Sequence, residues 1–161
     1  MVRALLAAEC PAWADLPMEY LRSSGTDNAM WRLRPEGGND LVVRLPRRPN
    51  AAANVEQETY LLRALSATPV SSVVRTPTVR HVGEPHELFP HRWSVLVWLD
   101  GVDAWTARGR IDDSERLAVD LAEAVLAIGA LVGMPGAQRT PGHRGGPIEP
   151  LVRRLEWWLE D

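Results

Sequence analysis

The chain has 161 residues, 45% hydrophobic and 24% charged, which suits one ordinary globular domain, or a small lobe and the start of another, and excludes a disordered polypeptide. A formal charge of −3 leaves no basic field to attract nucleic acid or acidic lipid. The single cysteine, Cys10, excludes an intramolecular disulfide and a cysteine-built zinc site.

All 18 basic side chains are arginine, a usage that, with abundant Ala, Pro and Gly, matches a GC-rich bacterial genome. Any phosphate anchor must therefore be a planar guanidinium fork rather than a lysine point charge. The N-terminus offers Arg3 and the apolar stretch Ala4 to Ala8, ended by Glu9. That is too short for a signal-peptide core, and no apolar run is long enough to span a membrane. A cytoplasmic location is the default expectation.

Leu5 to Leu16 reads as a short helix with apolar Leu5, Leu6 and Trp13, broken at Pro11 and stopped by Pro17. Strand candidates follow near Glu19 to Arg22, at Ala29 to Leu33 and at Leu41 to Leu45. The last two flank Pro35-Glu36-Gly37-Gly38-Asn39-Asp40, a hairpin turn in which both glycines are expected to take positive φ. After Pro46 and Pro49, Asn50 is a candidate N-cap for a helix from Ala51 to about Ala67. Its apolar face would carry Val55, Thr59, Leu62 and Leu65.

Pro69 to Pro77 is a Ser-, Val- and Pro-rich loop. Two further strands are expected at Thr78 to Val82 and Trp93 to Leu99, the second buried on both faces. Beyond Asp100-Gly101, an Asp112-to-Glu115 capping pattern opens an amphipathic helix with Leu117, Leu121, Val125, Ile128 and Leu131, ending at Gly133. A Gly- and Pro-rich loop spans Pro135 to Pro147, and a last helix is expected at Ile148 to Leu159. Five strands with one helix after the third, then helices alone, indicate an α+β fold with a boundary near Trp98 to Ala104.

Four features bear on chemistry. Ser23-Ser24-Gly25-Thr26-Asp27-Asn28 lies between two strands, where small residues and hydroxyls suit a phosphate-covering loop and equally suit a plain turn. Arg44 sits inside an apolar strand and must face solvent or find a partner. Glu58, one turn past Val55, could supply that partner, as a strand cation and helix carboxylate do in protein kinases. Glu56, on another face, is expected to be solvated.

Trp98-Leu99-Asp100-Gly101 closes the last strand, as a simple Asp-Gly turn or as a connector between lobes. His81, His86, His91 and His143 lack metal-ligand spacing, and Asp112, Asp113 and Glu115 read as helix N-terminal charge. The adjacent Trp157 and Trp158 cannot share one helix face, so an exposed apolar surface, and self-association through it, is expected there.

Taken in order, these segments resemble the aminoglycoside phosphotransferase family, a branch of the protein-kinase-like fold. The resemblance runs through Leu6 to Pro17, Ser24 to Leu33, Asp40 to Arg48, Glu58 to Leu65, Trp93 to Gly101 and Arg144-Gly145-Gly146-Pro147, nearly the whole chain. It implies a kinase-like N-terminal lobe over 1–98, built from about five antiparallel strands and one helix. A hinge at 99–104 and an incomplete helical lobe over 105–161 would follow.

It further implies ATP or GTP with Mg2+ as cofactor and a small hydroxyl-bearing acceptor as partner. Ser24, Gly25 and Thr26 would cover the nucleotide phosphates. Arg44, in the place of the usual strand lysine, would pair with Glu58, and Trp98 and Leu99 would supply hinge contacts to the purine. The family's His-Gly-Asp type catalytic loop and Mg2+ ligands have no counterpart in these 161 residues, so no catalytic or metal residue is assigned. This chain alone is expected to be inactive. The alternative is a non-catalytic truncated relative acting as a nucleotide-binding or interaction module.

Overall fold

The computed structural model describes residues 1–22, 25–68, 74–110 and 113–129. Apolar runs become five strands: β1 Met18–Leu21, β2 Asn28–Leu33, β3 Leu41–Pro46, β4 Val79–Gly83 and β5 Trp93–Val97. They form one antiparallel sheet in the order β1-β2-β3-β5-β4. β3 lies at its centre, and every β3 residue is buried except Arg44. β5 is buried on both faces from Trp93 to Leu96, as its continuous apolar run predicts.

Register sorts the strands into two faces. Trp31, Val43 and Val95 align across β2, β3 and β5, and so do Leu33, Leu41 and Val97. Because side chains alternate, the opposite face carries Met30, Arg44 and Ser94 in one row and Arg32, Val42 and Leu96 in the next.

The first face is covered by two helices, α1 Val2–Glu9 and α2 Pro11–Ala14. Pro11 opens α2 at its first turn, where the missing N–H costs nothing, so the expected single helix is two. Val2, Leu5, Leu6 and Ala14 pack into a core with Leu33, Leu41, Val43, Leu45, Trp93 and Val95. Burial of Leu5 and of Leu6 each contributes roughly 1.5–3 kcal/mol. Arg3 donates to the Ala14 carbonyl at 2.6 Å and binds the two helices together. Glu9, an acid at a helix C-terminus where the dipole disfavours it, instead meets His81 Nε2 at 2.7 Å and accepts from the Glu84 N–H at 3.1 Å. These contacts tie α1 to β4.

The second face receives α4 Val55–Ser66, preceded by α3 Pro49–Ala53. The expected helix from Ala51 to Ala67 is divided at Asn54, and Asn50 is not its N-cap. Pro49 opens α3 with Arg48 at the cap position, and Asn50 lies inside, its Oδ1 accepting from the Ala51 N–H at 3.0 Å. Val55 and Thr59 are buried, as their spacing predicts, and the Thr59 hydroxyl is satisfied by the Val55 carbonyl at 2.8 Å. In the β2–β3 hairpin only Gly37 takes a positive φ (72°); Gly38 does not, because the turn needs a single left-handed residue.

Beyond the sheet lie α5 Ala104–Ala107, a 3₁₀ turn at Arg108–Arg110 and α6 Ser114–Gly129. Asp113 caps α6, its Oδ1 accepting from the Arg116 N–H at 2.7 Å; the expected cap residue Asp112 lies outside the described residues. No residue of α6 is buried, and Leu117, Leu121, Val125 and Ile128 of its expected apolar stripe are exposed. Leu131, Gly133, the loop at 135–147, the helix expected at 148–159 and the surface around Trp157 and Trp158 lie outside the described residues. Among the described residues no helix is long and apolar enough to cross a membrane.

Gly83 abuts the fully buried Trp93, and a Cβ there would overlap the indole. Gly83→Ala should therefore lower stability by about 1–3 kcal/mol in chemical denaturation, the usual cost of overpacking. Gly101→Ala, with open space around it, should stay within about 0.5 kcal/mol of the parent.

Candidate functional site

Arg44 is the one charged side chain on the central strand, and β3 delivers it to the face that carries α4. Its Nη1 donates to Glu58 Oε1 at 2.6 Å. The Arg44 side chain is 20% exposed and that of Glu58 44%, so the pair is shielded from below and open to water on the helix side. One guanidinium nitrogen is engaged in that bond, and the planar fork keeps further donors for a second anion. The strand-to-helix pairing anticipated from spacing is present.

Glu58 stands where α4 puts it. Val55 and Thr59, its neighbours one turn back and one residue on, are buried against the sheet and leave Glu58 at the helix margin. A second ion pair acts on the same turn. Glu56 meets Arg92 Nη1 at 2.5 Å, and Arg92 Nη2 meets Glu84 at 3.0 Å. Glu56 is thus not merely solvated. Its side chain is 65% exposed but faces the guanidinium just before β5, a partner 36 residues away that helix periodicity could not disclose.

The β1–β2 loop is described from Gly25 onward; Ser24 lies outside the described residues. Gly25, Thr26 and Asp27 are exposed. Thr26 Oγ1 donates to Asp27 Oδ1 at 3.1 Å, and the Asp27 carbonyl accepts from the Arg47 N–H at 2.7 Å. That last bond anchors the loop to the end of β3, three residues past Arg44. Loop and cation are therefore carried by the same strand.

At the other end of the sheet, the Trp98 N–H donates to the Asp40 carbonyl at 2.8 Å and extends the β3–β5 ladder. Trp98 Nε1 donates to Asp100 Oδ1 at 2.8 Å. The Arg32 guanidinium lies 4.6 Å from the centre of the Trp98 ring and pairs with Asp40 at 2.6 Å. Sequence reading singled out Trp98 and Leu99 and missed Arg32 and Asp40. The available signal was a second charged residue, Arg32, inside the apolar run of β2. Among the described residues no group of three or more His, Cys, Asp or Glu side chains gathers as a metal site. Burial, and then the charge of Glu9, pushes the Cys10 thiol above its ordinary value, which keeps it protonated and unreactive near neutrality.

Residues 21–161 match the model of a phosphotransferase enzyme family, APH. The chain belongs to that family. The match begins at the last residue of β1, so α1 and α2 precede the matched segment. Among solved structures the chain is similar to the GDP and kanamycin complex of APH(2")-IIia, with a TM-score of 0.71 and 18% identity over 99% of this chain and 51% of that one. It is also similar to the GDP complex of wild-type aminoglycoside 2'-phosphotransferase-IIIa, with a TM-score of 0.70 and 17% identity over 99% and 50%. The chain spans about half the length of these structures, and at such identity the likeness establishes the shared fold, a kinase-like five-stranded lobe. No curated protein sequence matches it.

A double-mutant cycle on Arg44→Met and Glu58→Gln should give a coupling of about 0.5–1 kcal/mol that shrinks as salt is raised, as for a half-exposed pair. A coupling indistinguishable from zero at low salt would mean that the two side chains do not pair in solution.

Proposed function

We propose that this chain forms the nucleotide-binding portion of an ATP- or GTP-dependent small-molecule phosphotransferase. The observation that carries the reading is the Arg44–Glu58 pair at 2.6 Å, partly exposed on the face of the sheet that carries α4. A purine nucleoside triphosphate needs a fixed cation for its phosphates, close backbone donors over them, and an apolar slot beside a strand edge for its base. Arg44, steadied by Glu58, offers the cation. Gly25 and Thr26, with Ser24 before them, offer the loop. Val42 and Leu96, in register beside Arg32 on the same face, are apolar and buried, and would lie beneath the base rather than present open surface to it.

At the connector the roles divide between two residues. The Trp98 amide is committed to Asp40, so the purine edge would be met by the Trp98 carbonyl and the Leu99 amide. On this reading residues 1–98 are the nucleotide lobe, 99–104 the hinge, and 105 onward the beginning of a helical lobe. When bound, the nucleotide supplies the phosphoryl group destined for a hydroxyl of a small acceptor. The two solved relatives, both in complex with GDP and one with kanamycin as well, support a purine nucleotide and a polyhydroxylated acceptor.

Arg44 would hold phosphate oxygens and spread their charge, and Glu58 would keep the guanidinium from swinging toward solvent. No His-Gly-Asp run occurs in the 161 residues, and the described residues gather no acidic cluster for Mg2+. No base for the acceptor hydroxyl is therefore assigned here, and what is proposed for these residues is nucleotide binding. One observation favours the second reading, a non-catalytic interaction module: the exposed apolar residues of α6 would suit a partner surface.

A thermal-shift titration with Mg2+-ATP and Mg2+-GTP tests the proposal. Nucleotide at about 100 times its Kd should stabilise the chain by roughly 2.7 kcal/mol. Arg44→Ala and Glu58→Ala should each abolish the shift. No shift with either nucleotide in a folded sample would contradict nucleotide binding and leave the interaction module.

A further inference from the structure

We propose that Arg32 is the positioning residue of the connector, its guanidinium setting the direction in which the Trp98 carbonyl and the Leu99 amide point; the nucleotide half of this inference rests on the function proposed above. Arg32 leaves β2 on the same face as Arg44, one row nearer the connector, in register with Val42 and Leu96. Its Nε donates to Asp40 Oδ2 at 2.6 Å, on the residue just before β3, and both side chains are about three-quarters buried. The guanidinium carbon lies 4.6 Å from the centre of the Trp98 ring, within the range of a cation–π contact. Its Nη2 also reaches Asp100 Oδ1 at 3.4 Å, but that carboxylate is 87% exposed and the pair is screened by water. Asp40 and the indole are therefore what Arg32 acts on.

Both lead to the same backbone. The Asp40 carboxylate holds Arg32, and the Asp40 carbonyl takes the Trp98 N–H. The Trp98 ring is fixed at its face by Arg32 and at its edge by Asp100, to whose Oδ1 its Nε1 donates at 2.8 Å. The Asp100 carbonyl in turn accepts from Arg75 Nη2 at 3.3 Å. Trp98 is thus held by its amide, its ring face and its ring edge, while its carbonyl and the next amide, of Leu99, have no partner among the described residues. Arg32 links the strand-edge anchor to the ring, and a lysine could not reproduce both contacts because it lacks the planar fork. The chemistry recognised at such a connector is the hydrogen-bonding edge of a purine base, independent of phosphate.

The test combines amide hydrogen exchange with binding, using the full chain. Arg32→Met keeps an apolar stem over the indole but removes charge and donors, and Arg32→Lys keeps the charge without the fork. In Arg32→Met the Trp98 amide should exchange about tenfold faster and the Trp98 indole N–H resonance should move, while the Val43 amide stays protected. Arg32→Lys should fall between this variant and the parent. Adenosine or guanosine and the matching triphosphate should lose affinity by one common factor, about tenfold. Arg44→Met, in contrast, should weaken the triphosphate and leave the nucleoside unaffected. Unchanged Trp98 exchange and an unmoved indole resonance in Arg32→Met would overturn the inference, and so would nucleoside binding as tight as in the parent. If the parent bound neither nucleoside nor triphosphate, the proposed function would fall, and the exchange result would still decide whether Arg32 positions the connector.

Discussion

Arg44 interrupts a central strand whose other residues are all buried, and its guanidinium is tolerable there because Glu58 meets it at 2.6 Å. A charge placed in such a site without a partner would carry a desolvation cost of several kcal/mol. The pair is therefore a constraint on the architecture, since it requires α4, packed on β4 and β5, to bring its first turns within reach of β3. Every other proposed nucleotide contact is placed relative to those turns. The loop at Gly25 to Asp27 is joined to the strand three residues beyond Arg44, and the connector lies at the opposite end of the same face.

The support for this pair is distributed. Behind the sheet, α1 and α2 fill the opposite face with Leu5, Leu6 and Ala14, so β3 is braced from one side while the other carries the partly exposed Arg44–Glu58 pair. Glu9 joins α1 to His81 and the Glu84 amide on β4 and its following loop, and Glu84 also joins Arg92, which holds Glu56 on α4. These pairs are partly exposed and individually weak. Together they run from the N-terminal helices around the sheet edge to the helix that carries Glu58. The rear layer and the candidate site are thus connected through side chains as well as through the strand.

Much of the architecture is legible in the sequence because strands and turns are local signals. The runs at Ala29 to Leu33, Leu41 to Leu45 and Trp93 onward become β2, β3 and β5 with ends shifted by two residues or fewer. Arg44 and Glu58 are separated by only 14 residues across one strand and one helix, so spacing alone suffices to suggest the pair. What is not legible depends on distant partners or on subtle helix geometry. Glu56 has no local sign of Arg92, Glu9 is 72 residues from His81, and Arg32 finds Trp98 only once β2, β3 and β5 align. The break at Asn54 also escapes periodicity, because Asn54 itself stays in a near-helical conformation, with φ of −91° and ψ of −9°.

The central claim is that Arg44, held by Glu58, is the phosphate anchor of this face. Side-chain 15N NMR of the Arg44 guanidinium, assigned through Arg44→Met, tests it most directly. On addition of Mg2+-ATP or Mg2+-GTP the Arg44 resonances should shift in a saturable way, and with adenosine or guanosine alone they should not. Saturable binding of the triphosphate seen elsewhere in the spectrum, with the Arg44 resonances unmoved, would contradict the account.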